Sequence, residues 1–135
     1  MTLQTYFDTT AGTGILATAD SNGKVDAAVY SRPHFLEDGS IVFIMRDRLT
    51  HHNLQSNPYA HFLFIEEGGK SRGRRLFLKK LREDQDRQLI DRFRRRPPRP
   101  GDTEQLFVVY FELEKELPLL GSGEEDLHRP AGADG

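Results

Sequence analysis

Short blocks of apolar and polar residues alternate along this chain, and the period of each block predicts an element. Leu3, Tyr6 and Phe7 stand at i, i+3 and i+4, one face of a short N-terminal helix that Gly12 and Gly14 are expected to end. Residues 15–19 and 25–31 are two strand-like runs, joined by Asp20-Ser21-Asn22-Gly23, whose Asn-Gly pair favours a tight hairpin turn. Arg32-Pro33 interrupts the second run, because proline has a fixed φ and no N–H for a ladder. Residues 34–36 resume in extended form before the turn at 37–40. Ile41 to Met45 is continuously apolar and reads as a buried strand, and 49–57 reads as a helix that Pro58 stops. Residues 59–65 form a strand with aromatics on both faces, hence expected to be buried on both. A glycine-rich loop at 66–73 leads to a strand over 74–81, with Leu76 and Leu78 opposite Arg75, Phe77 and Lys79. Glu83 and Asp84 are expected to open a helix striped by Leu89, Ile90 and Phe93, which the Arg/Pro run at 94–100 ends. Residues 106–113 make the last strand. Six strands joined mainly by tight turns point to a mainly β (α+β) chain, a small antiparallel barrel with short flanking helices.

Composition bounds this picture without changing it. The 135 residues suit one domain, expected over 1–120, with a polar, disorder-like tail at 121–135. Hydrophobic content is 36%, so the core is modest and would gain from a partner that covers more of it. There is no cysteine, which excludes disulfides, thiolate zinc sites and a cysteine nucleophile. No apolar run approaches the roughly 18 residues of a membrane span, and M-T-L-Q-T-Y-F-D does not read as a secretory signal. A cytoplasmic location with no membrane partner is expected. Net charge is −2, but 70–99 holds 13 basic and 4 acidic residues. Such asymmetry fits either nucleic-acid binding or a dimer in which a basic segment docks on an acidic one.

Candidate chemistry is confined to one region. His34, His51, His52, His61 and His128 are scattered, with no H-E-x-x-H spacing, so no metal site is expected. Gly12-x-Gly14 precedes a strand rather than a helix, which is wrong for a dinucleotide loop. The basic run 92–99 lacks the interleaved aromatics of a nucleic-acid surface and reads as a solvated helix end. By contrast, Arg46-Asp47-Arg48-Leu49-Thr50-His51 joins a strand to a helix start, where backbone N–H groups and guanidinium groups together favour a phosphate. Two solvated arginines, with Asp47 as a simple helix cap, are the competing reading. The Arg32-Pro33 break frees backbone donors and acceptors that suit the edge of a flat heteroaromatic ring. Ring edge and phosphate together describe flavin mononucleotide (FMN).

Three stretches carry a family likeness: G-I-L-A-T-A-D-S-N-G-K-V-D-A-A-V-Y-S-R-P, V-F-I-M-R-D-R-L-T-H-H-N-L-Q-S-N-P and G-R-R-L-F-L-K-K. In these the chain resembles the pyridoxamine 5′-phosphate oxidase-like family of FMN-binding split barrels, over roughly residues 3–123. The resemblance implies a six-stranded antiparallel split β-barrel that works as a homodimer with FMN at the subunit interface. It implies that Val29, Tyr30, Ser31, Arg32 and Pro33 line the isoalloxazine ring, and that Ile44, Met45 and Arg46 contact the flavin and its ribityl chain. Leu49, Thr50 and His51 then begin the helix that holds the phosphate, and Arg75 is a further contact. Many members carry an Arg-Lys or His-Lys pair where this chain has Leu49-Thr50-His51; here Thr50 can donate a hydrogen bond and Arg46 or Arg48 can supply the charge. The implied function is an FMN-dependent oxidoreductase of unknown small-molecule substrate, with Tyr30 and His34 the candidates for proton chemistry. A non-catalytic flavin carrier or sensor, or a split barrel that binds haem or deazaflavin through residues such as His51 or His52, are the alternatives.

Overall fold

In the computed structural model, which describes residues 1–94, 97 and 99–121, ten elements follow in chain order. They are α1 (Leu3–Thr9), β1 (Gly12–Ala19), β2 (Val25–Tyr30), β3 (His34–Phe35), β4 (Ile41–Arg46), α2 (Leu49–Ser56), β5 (Tyr59–Glu66), β6 (Gly73–Asp84), α3 (Arg87–Phe93) and β7 (Leu106–Pro118). The strands form one antiparallel sheet in the order β2-β1-β5-β6-β7-β4-β3. This is a mainly β half-barrel with three helices. It has seven strands and not six, because the two residues after Pro33 pair back on β4, His34 with Val42 and Phe35 with Ile41. The tail expected from 121 lies, beyond Gly121, outside the described residues. Among the described residues, no helix is long and apolar enough to cross a membrane.

Three other expectations shift. Gly12 and Gly14 do not end α1; they open β1, where the rings of Phe64 and Phe62 press on them and leave no room for a Cβ. Glu83 and Asp84 do not open α3. They extend β6, which slips at a bulge between Lys80 and Arg82 and goes on pairing with Val109 and Val108. The cap of α3 is Asp86, whose carboxylate accepts from the Leu89 and Gln88 N–H groups at 3.2 and 3.0 Å. Finally, β5 is buried on one face only: Ala60, Phe62 and Phe64 point inward, while Tyr59 and Ile65 are exposed.

The core fills the barrel. Phe7 of α1 packs against Phe62 and Phe64, with ring centroids 6.0 and 5.0 Å apart, and Phe43 joins Phe62 to Phe111. Each such buried phenylalanine contributes roughly 1.5–3 kcal/mol through apolar surface removed from water. A smaller cluster of Val42, Ile90, Val108 and Tyr110 seats α3 on the other face of β4 and β7. Both faces of β4 are therefore covered, as its unbroken apolar run requires.

Candidate functional site

A cleft of about 490 Å³ opens where β2 runs into the proline break and faces the end of β4. Its walls gather Val29, Tyr30, Ser31 and Arg32 from one segment and Ile44 and Arg46 from another. These are six of the residues the resemblance assigned to the flavin. β2 is the outer strand of its edge and pairs only with β1, so half of its backbone donors and acceptors have no sheet partner. Burial pushes the Tyr30 hydroxyl up from its ordinary value, opposed by a hydrogen bond with Thr50 and helped by the charge of Asp26. The phenol therefore stays protonated at neutral pH. Arg32 reaches across to donate Nη1 to the Phe7 carbonyl at 2.5 Å, which ties the break to α1. Pro33 is buried behind it.

The other assigned residues do not line this cleft, though Thr50 bonds the Tyr30 hydroxyl from beneath. Met45, 1% exposed, points into the core. Leu49 is exposed at the start of α2, whereas Thr50 and His51 are buried beneath it. The His51 ring stacks on Phe107 at 4.0 Å, with Nδ1 3.0 Å from Asp47 and Nε2 2.8 Å from Glu83. Asp47 thus serves His51 and does not cap α2, whose N-cap is Arg48 with no side-chain hydrogen bond to the helix. Arg75 stands on the outer sheet face and donates to the carbonyls of Pro118 and Gly121. The junction arginines are already paired: Arg46 with Glu104 at 2.6 Å, and Arg48 with the same carboxylate at 3.1 Å. Among the described residues, no three His, Asp or Glu side chains gather as a metal site.

Sequence reasoning missed part of the cleft. Phe93 and Arg94, at the end of α3, form its outer wall with His34, and the His34 and Phe93 rings stack 4.3 Å apart at 12°. Nothing in the run R-F-R-R-R-P-P-R marks Arg94 off from its solvated neighbours; its place depends on where α3 lands. A second cleft of about 500 Å³ shares Tyr30, Ser31 and Arg32, but its lining also includes Glu66 and Glu67.

No family model and no curated protein matches the chain. Solved structures do. An FMN-binding protein from Syntrophomonas wolfei superposes with a TM-score of 0.68 at 21% identity, over 87% of this chain and 83% of its own. An F420 reductase gives 0.65 at 14% identity, over 86% of this chain and 97% of its own. A Lactobacillus delbrueckii protein, provisionally assigned as a pyridoxamine 5′-phosphate oxidase, gives 0.64 at 13% identity over 87% and 93%. At these identities the likeness is one of fold. The chain has the split-barrel fold that the sequence resemblance implied.

Proposed function

We propose that this chain is an FMN-binding flavoprotein and an FMN-dependent oxidoreductase of a small-molecule substrate. The observation that carries this reading is the cleft itself, which brings β2, its proline break and the end of β4 together in a split barrel. The residues suit the cofactor. The free edge of β2 offers N–H and C=O groups to a heteroaromatic ring, and the protonated Tyr30 adds a donor. The first N–H groups of α2 face no side-chain cap, so a phosphate can complete them. Arg46 and Arg48 stand beside that helix start, where Glu104 holds their guanidinium groups until a phosphate competes for them. When bound, the flavin supplies the redox chemistry, while the chain binds, orients and shields it.

The same reading takes the protein as a cytoplasmic homodimer with the cofactor at the interface. Support comes from the outer sheet face, where Val29, Ile15 and Leu63 stand side by side across β2, β1 and β5. Val25 and Val29 are 82% and 78% exposed there, an apolar strip that a second copy would cover. A deazaflavin cofactor is the second reading, suggested by the likeness in fold to the F420 reductase over 86% of this chain. The haem reading loses His51, because both of its ring nitrogens are engaged by carboxylates.

An absorption spectrum of the purified protein, with the released chromophore identified by mass, tests the proposal. A yellow protein that releases about one FMN per chain is expected. A released deazaflavin selects the second reading, and a colourless protein that excess FMN fails to turn yellow overturns both.

A further inference from the structure

Among the residues lining the cleft are three arginines, Arg32, Arg46 and Arg94, and no Asp or Glu. Two of the three are already engaged, Arg32 by the Phe7 carbonyl and Arg46 by Glu104. Arg94 is different. It makes no ion pair with any described residue, and its Nε is the one buried side-chain polar atom among them that has no hydrogen-bond partner. It also borders the groove that holds Asp102 and Glu104, yet pairs with neither, and Glu104 is taken by Arg46 and Arg48. A half-buried guanidinium that makes no ion pair is partly desolvated without a counter-charge, which an anion in the cleft would offset.

Its position is fixed in advance. The Arg94 N–H donates to the Ile90 carbonyl at 2.9 Å and closes α3, and Ile90 is anchored in the smaller core cluster. Phe93, stacked on His34, clamps the same helix end against β3. Val29, Ile44 and Leu106 add apolar surface to a lining that is otherwise largely polar. An apolar body beside one unspent cation selects an amphiphilic oxyanion.

We propose that the second ligand of this cleft is a small organic anion, a carboxylate or a phosphate monoester with an apolar body, and that Arg94 is its counter-charge. As the substrate class of an enzyme this rests on the flavin reading of the cleft; as a binding site it stands on its own. Benzoate and phenyl phosphate are the probes and benzamide the neutral control, titrated calorimetrically at low salt into FMN-free and FMN-loaded protein. Arg94→Gln is expected to weaken the anions at least about tenfold, or about 1.4 kcal/mol, and to leave benzamide unchanged. Arg94→Lys restores most of the loss, and Arg92→Gln on the exposed side of α3 has no effect. The stronger of the two anions tells carboxylate from phosphate. Equal anion affinity in the wild type and Arg94→Gln overturns the proposal. So does an equal loss of FMN affinity in that variant, which assigns Arg94 to the cofactor phosphate. If FMN does not bind at all while benzoate binds through Arg94, the flavin reading falls and the anion site stands.

Discussion

His51 is the residue whose surroundings differ most from its sequence. Its i, i+4 spacing from Asp47 is visible in the chain, but Glu83 lies 32 positions away and only the β6 bulge brings it close. Both ring nitrogens lie within hydrogen-bond distance of a carboxylate, so the ring ties α2 to β6. Lys80 Nζ closes the network, 2.6 Å from Glu83 Oε1, and Gln55 donates to the same oxygen at 2.9 Å. Burial pushes the Glu83 carboxyl up, but the hydrogen bonds from Gln55, Lys80 and His51 outweigh it and hold the group at about 2, below its ordinary 4.5. A carboxyl depressed on folding adds stability that is complete above its unfolded value and is lost as pH falls toward the folded one. Thermal melts should therefore show Tm dropping between pH 4.5 and 2, in part through this group. In Glu83→Gln that part of the drop is absent, and at pH 7 the variant is less stable by roughly 1–3 kcal/mol because Lys80 and His51 lose their carboxylate. Matching pH profiles for the two proteins would remove Glu83 from the account.

At the scale of elements, periodicity located nearly every strand and helix, and the departures share a cause. β3 is two residues long, too short for any period to register, and exists because β4 offers it a partner. β6 runs on through Arg82, Glu83 and Asp84, a charged stretch that reads as a helix start, because β7 still offers ladder partners. In both cases pairing with a distant strand overrode local preference. Gly73 shows how tight that pairing is. A Cβ there would lie 1.9 Å from the Phe64 carbonyl oxygen, a backbone atom that cannot swing aside. Gly73→Ala should thus lower stability by about 1–3 kcal/mol, and Tm by several degrees, with the β5–β6 amides losing hydrogen-exchange protection first. An unchanged melt would show that the two strands can part without cost. The site divides along the same line: β2, its break and the end of β4 were legible because each is a local signal, whereas the ion pairs of Arg46 and Arg48 with Glu104 and the placing of Arg94 depend on how the chain returns.

At the scale of the whole molecule, an apolar surface stands uncovered among the described residues. Across β2, β1 and β5 the outward rows run Val29–Ile15–Leu63 and Ala27–Ala17–His61, and continue through Arg75 and Phe77 of β6. Burial, together with the charge of Arg75, lowers the His61 pKa, so at neutral pH these rows carry no charge across β2, β1 and β5. An edge strand with Val25 and Val29 largely exposed is a liability that proteins cover by pairing or by assembly. Assembly across this face would also bring a second chain to the mouth of the cleft, since Val29 belongs to both. Val25→Glu tests the link, because Val25 contributes almost nothing to the core of one chain and its loss leaves the fold intact. Light scattering should give the wild type twice its chain mass of 15.4 kDa and the variant a single chain. If the second chain completes the cofactor site, FMN affinity falls in step with the dimer fraction as protein is diluted. A variant that stays dimeric moves the interface elsewhere. One that becomes monomeric yet binds FMN undiminished separates assembly from the site and leaves the cleft to a single chain.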